Sequence, residues 1–177
     1  MLSSSIPEVQ YLLDRQAILD VVNRYARGID RHDEDIIMSV YHGDAIDEHG
    51  VFDGGPEEFT KWANEFHAEH TWSHTHNITT HNCEIDGDTA HAESYCFYAL
   101  RRKNNKTVII GGGRYIDKLT KENGEWRIKL RKLYIDWRAE ADATIFATPN
   151  GYPAGSWDRN DPSYQRPLER AAAKQPA

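Results

Sequence analysis

The tightest constraint on this sequence is its order. Helical patterns come first, and after about residue 71 nearly everything reads as strand. Four long strand-like runs cover 72–86, 89–102, 106–119 and 125–137. They are separated by Asp86-Gly87-Asp88, Asn104-Asn105 and Asn123-Gly124, and links this short join antiparallel neighbours only. Such a block of hairpins preceded by helices predicts an α+β fold, with the helices packed on one curved sheet.

The helices follow from periodicity. Leu12, Leu13, Ala17, Ile18, Val21, Val22, Tyr25 and Ile29 recur at helical spacing and predict a helix over 9–29, with Gly28 as its terminator. A short second helix is expected from Asp33 to Tyr41, with Ile36, Ile37 and Val40 facing in. A short strand and turn are expected over 44–52. Pro56 suits a first helical position. Phe59, Trp62, Ala63 and Phe66 then mark a third helix ending near His70. In the last strand, Trp126, Ile128 and Leu130 share one parity and Arg131, Leu133, Ile135 and Trp137 the other. That switch predicts strong curvature or burial of both faces. Gly111-Gly112-Gly113 predicts a bend or bulge in the third strand. The expected architecture is a cone-shaped barrel of a mostly antiparallel sheet wrapped around three helices, spanning 1–138. Residues 139–177 read as an irregular extension pinned by Trp157 and Tyr164, with frayed ends from Arg170 to Ala177.

Composition removes several functions. With 21 basic against 28 acidic residues the net charge is −7, which argues against nucleic acid as a partner. No apolar run spans a bilayer and the N-terminus lacks a signal-peptide pattern, so neither membrane nor export is expected. Two cysteines exclude a disulfide scaffold, and a reduced cytoplasmic setting is expected. No phosphate loop, nucleophile elbow or cofactor signature occurs, so no cofactor is expected, and the pocket expected inside the cone suits a small-molecule partner.

The polar residues that could act are few in kind. His67, His70, His74, His76 and His81 fall close together, with His42, His49 and His91 elsewhere. His74 and His76 could share a metal with a carboxylate such as Glu48, but no zinc pattern fixes a third ligand, and the expectation is no metal. A single histidine held by one carboxylate needs no metal, since imidazole titrates near neutrality and the acid fixes its tautomer. Asp30 with His76, or with His74, would make such a dyad. Tyr25 could donate from its hydroxyl, and Arg114 and Arg131 could face a pocket from their strands. The strand residues Trp72, His74, Tyr95, Phe97 and Arg114 are the candidates for substrate contacts.

The chain resembles the SnoaL-like branch of the nuclear transport factor 2-like superfamily over roughly 9–138. The carriers are Ala17-Ile-Leu-Asp-Val-Val-Asn-Arg-Tyr-Ala-Arg-Gly-Ile-Asp30, His76 ahead of Glu84-Ile-Asp-Gly-Asp-Thr-Ala90, Gly112-Gly-Arg-Tyr-Ile-Asp117, and Gly124-Glu-Trp-Arg-Ile128. Within that superfamily it is similar to cofactor-free lyases: scytalone dehydratases, bile-acid 7α-dehydratases, hexachlorocyclohexane dehydrochlorinases and diarylpropane γ-formaldehyde lyases. The resemblance implies Asp30 and His76 as the catalytic pair, Tyr25 at the dehydratases' tyrosine, and Arg131 as the arginine following a tryptophan. The bile-acid enzymes' further carboxylate falls near Ala99, where none exists. The resemblance also implies a homo-oligomer, a trimer before a dimer. The expected function is a lyase eliminating from, or cleaving a carbon–carbon bond of, a hydroxylated aromatic molecule. The alternatives are a cyclase or isomerase with the same base, and a noncatalytic binding module.

Overall fold

The structure, a computed structural model, describes residues 7–104, 106–143 and 152–169. Helix α1 covers Pro7–Arg31, α2 Glu34–Ser39 and α3 Pro56–His70. Strands β1 (Tyr41–Glu48) and β2 (Asp53–Gly54) lie between α2 and α3. Strands β3 (Thr71–Asp86), β4 (Thr89–Arg102), β5 (Thr107–Glu122) and β6 (Glu125–Asp142) follow. The strand order is β2-β1-β6-β5-β4-β3. β1 runs parallel to β6 and all other neighbours are antiparallel, so the sheet is mixed and keeps two edges. This is the expected α+β cone, left open rather than closed into a barrel.

The stripe on α1 buries Ile18, Val21, Val22, Tyr25, Ala26 and Ile29, while Leu12 and Leu13 stay exposed beyond the edge of the core. Each fully buried aliphatic side chain contributes about 1.5–3 kcal/mol by leaving water. Gly28 does not end α1, which continues to Arg31. A Cβ there would sit 2.8 Å from Ile37 Cγ1 and 3.1 Å from the Ile37 nitrogen, so the glycine lets α1 and α2 touch. Asp33 caps α2 by accepting from the Ile36 amide at 3.1 Å. The expected turn at Asn123-Gly124 forms with φ of 53° and 82°, the left-handed pair a two-residue hairpin requires. Among the described residues no helix is long and apolar enough to cross a membrane.

Bulges explain the parity switch in β6. Lys118 opposes Leu130 while Leu119 opposes Ile128, which leaves Lys129 as an extra residue. Trp126 and Ile128 therefore point inward before the bulge, and Arg131 and Leu133 after it. A second shift at Gly112 and Gly113 makes Asp136 the next extra residue. β6 also runs to Asp142, past the expected domain boundary at 138.

The described part of the extension packs on the helices. Trp157 stacks on the His32 ring at 4.1 Å and 12°. The Tyr164 hydroxyl donates to Asp33 at 2.6 Å, and Arg159 also reaches Asp33. Arg170 to Ala177, expected to fray, lie outside the described residues.

Candidate active site

The last turn of α1 carries Asp30 against β3. Its Oδ1 lies 2.7 Å from His76 Nδ1 and 3.3 Å from His74 Nδ1, and its Oδ2 accepts the His76 backbone amide at 2.9 Å. A carboxylate only accepts, so both Nδ1 atoms carry their protons toward it. The His76 tautomer is thereby set, leaving Nε2 as a free lone pair. The His76 and Asp30 side chains are only 12% and 14% exposed, so the pair is largely shielded from water. A helix C-terminus disfavours an anion, and these three donors offset that cost.

Behind His76 lies a stack of neutral imidazoles. His67 stacks on His74 with ring centres 4.0 Å apart, and His74 Nε2 is 3.0 Å from His32 Nε2. Since His74 donates through Nδ1, its Nε2 accepts and His32 donates. Burial, reinforced by His74 and His76, pushes the His67 ring down to about 2. Burial followed by His76 and His32 takes His74 to about 3, and burial takes His32 to about 4 against the pull of Asp30. Asp30, His74 and His76 present ligand atoms within 4.8 Å of one another and could hold a divalent cation by surrendering the Nδ1–H bonds to Asp30. Glu48, considered as a ligand from sequence, is instead paired with Lys132 at 2.9 Å.

His76 opens onto a cavity of about 440 Å³ inside the cone. Tyr25, Phe59, Trp62, Tyr98, Tyr115 and Leu133 supply much of its wall. Tyr25 is fully buried, with Tyr115 edge-on at 5.4 Å. Burial, with Asp47 nearby, raises its hydroxyl well above the ordinary range, so it remains a neutral donor. The face of Asp30 and His76 away from this cavity borders a second hollow between α1 and β3, lined also by Arg27 and Ser163.

Several expected contacts fall elsewhere. Arg131 does not line the cavity. It is fully buried, forms a two-pronged pair with Asp117 at 2.8 and 2.7 Å, and lies over the Tyr25 and Tyr115 rings at 4.0 and 4.3 Å. It therefore backs the two tyrosines instead of meeting a ligand. His74 supports Asp30 and is absent from the cavity wall. Tyr95 and Phe97 are odd residues on a strand whose even residues Ala92, Ser94 and Cys96 are buried, so they emerge on the outer face. Trp72 occupies an extra-residue position opposite Arg101 and Arg102, half-exposed beneath Lys103. Arg114 is also outward, bound to Asp136 and Glu93 at 2.9 Å.

Sequence reasoning missed His49 and Asp47. Asp47, at the end of β1, is 1% exposed and accepts from the Tyr41 hydroxyl at 2.5 Å and from His49 Nδ1 at 3.0 Å. His49 lines the same cavity as His76. The i, i+2 spacing of Asp47 and His49 on a strand end was the available signal.

Residues 10–132, well over half of the chain, match the SnoaL-like domain family. Among curated proteins none matches the sequence. Among solved structures the chain is similar to a hexachlorocyclohexane dehydrochlorinase of type 3 from Novosphingobium barchaimii. That pair shares 17% identity and a TM-score of 0.71, covering 83% of this chain and 99% of that one. A putative scytalone dehydratase from Novosphingobium aromaticivorans matches with 17% identity and a TM-score of 0.67, covering 74% and 89%. A protein of unknown function from Mycobacterium tuberculosis matches with 26% identity and a TM-score of 0.64, covering 76% and 78%.

Proposed function

We propose that this chain, which belongs to the SnoaL-like domain family of the nuclear transport factor 2-like superfamily, is a cofactor-independent lyase acting on a small, apolar, hydroxylated aromatic molecule. The observation that carries this reading is the Asp30–His76 hydrogen bond of 2.7 Å at the wall of an aromatic-lined cavity. The likeness to a dehydrochlorinase and a putative dehydratase supports it, since both names describe loss of a small group.

His76 Nε2 removes a proton from the substrate. Asp30 holds the ring in place and stabilises the imidazolium that forms. The neutral Tyr25 hydroxyl donates a hydrogen bond to a substrate oxygen as charge develops there. A positioned base of this kind supplies about 10²–10⁴-fold, and confinement in the cavity supplies further acceleration through orientation.

The test is incubation with a panel of small β-hydroxy and β-halo aromatic carbonyl compounds, followed by mass spectrometry. Loss of water or hydrogen halide by the wild type, abolished in a folded His76→Ala variant, is the expected result. A product of unchanged mass would instead make the protein an isomerase or cyclase. Binding without turnover would make it a carrier.

A further inference from the structure

Three histidines line the cavity, His49, His67 and His76. His67 is neutral and its buried Nδ1 has no hydrogen-bond partner among the described residues. The other two share one arrangement: each gives Nδ1 to an aspartate, His76 to Asp30 at 2.7 Å and His49 to Asp47 at 3.0 Å. They enter from opposite edges of the sheet, His76 from edge strand β3 and His49 from the link between β1 and edge strand β2.

The surroundings of the two aspartates differ. Asp30 takes three N–H donors and is partly exposed. Asp47 is buried, and a buried carboxylate calls for a countercharge. Arg131, the cross-strand neighbour of Asp47, already forms its two-pronged pair with Asp117. Tyr41 brings a proton but no charge. A proton on His49 would give Asp47 a partner of opposite charge at 3.0 Å, with the ring's Nε2–H left for the cavity.

We propose that His49 is the general acid that completes the lyase, working across the cavity from the base His76. This deepens the function proposed above and rests on it. In an elimination, His76 Nε2 takes the proton from carbon and the C–H electron pair becomes the new double bond. The bond to oxygen breaks with its pair going to oxygen. His49 Nε2 delivers its proton there, and the group departs as water. Exchange of one proton each with solvent restores both rings.

Two probes separate acid from base. Ring opening of 5-nitrobenzisoxazole needs a base but releases a stabilised phenolate. Dehydration of 4-hydroxy-4-phenylbutan-2-one must expel hydroxide unless an acid protonates it. The expected result is that His49→Gln lowers the ratio of dehydration to ring opening by about 10²-fold, the lower end of general-acid catalysis. Asp47→Asn, which keeps the ring and removes its anion, should lower that ratio in the same direction by about tenfold. An unchanged ratio in both variants, or wild-type ring opening without any dehydration, overturns the acid role while leaving His76 as base. Absence of both reactions in the wild type overturns the lyase reading and this inference with it.

Discussion

Asp30 grips His76 twice, through the ring at 2.7 Å and through the backbone amide at 2.9 Å, using a different carboxylate oxygen for each. The side chain and the strand that carries it are thus locked to the end of α1 together.

That double grip predicts the behaviour of Asp30→Asn. An amide offers one accepting oxygen where three N–H donors now share two, so at least one donor is left unpaired at a cost of about 1–3 kcal/mol. If the amide oxygen keeps the backbone N–H, its NH₂ group forces the other His76 tautomer and occupies the base. Elimination should fall by at least about 10²-fold, and urea denaturation should show the stability loss. Asp30→Glu is expected to recover part of the activity, which a purely structural role for the acid would not require.

The buried imidazoles predict acid sensitivity. His67 and His74 are lowered from 6.5 to about 2 and about 3, so between these values and 6.5 the unfolded chain binds protons that the folded chain refuses. Stability should be flat above about pH 7 and fall as pH drops through 6.5. The slope contributed by each ring approaches about 1.4 kcal/mol per pH unit. Urea midpoints measured from pH 8 to pH 5 check this, and His67→Leu should flatten the curve.

The pair of Arg131 and Asp117 is fully buried, so removing one partner strands the other charge. Arg131→Met should cost about 3–5 kcal/mol, and Arg131→Met with Asp117→Leu should recover most of it. Equal losses in the single and double variants would contradict the pairing.

Two neighbouring glycines predict opposite outcomes. A Cβ on Gly113 would press on the Tyr134 carbonyl and lie 3.3 Å from Ile135 Cα, which is backbone and cannot yield. Gly113→Ala should lose about 2 kcal/mol or more. The nearest atoms to a Cβ on Gly111 all belong to the Tyr98 side chain, at its far end. Gly111→Ala should be milder in thermal melts, while altering binding in the cavity by displacing that ring.

The helices and hairpins were legible because periodicity and turn chemistry are local. The stripe from Ile18 to Ile29 and the Asn123-Gly124 turn each appear where expected. Residue chemistry offers Asp30 with either His74 or His76 and the resemblance selects His76, but their contact is made by packing of α1 on β3, which is not local. Tyr95 and Phe97 are aromatic, as a contact to an aromatic ligand would require, but aromaticity says nothing about which face they take. The parity set by Ala92, Ser94 and Cys96 contradicts that role, and parity decides which side of a sheet a residue reaches. Arg131 could face a pocket from its strand, but nothing in the sequence marks Asp117 as the partner that holds it in the core. Asp47 and His49 are marked in the sequence only by their i, i+2 spacing, a weaker signal than the dense histidine run from His67 to His81.

The extra residue at Lys129 decides which half of β6 looks inward from that point on. Pairing β6 without that bulge, with every residue kept, would turn Lys132 and Tyr134 toward the hollow in place of Arg131 and Leu133. A one-residue slip of a wall strand exchanges every side chain it shows to the hollow, a larger chemical change than most substitutions make.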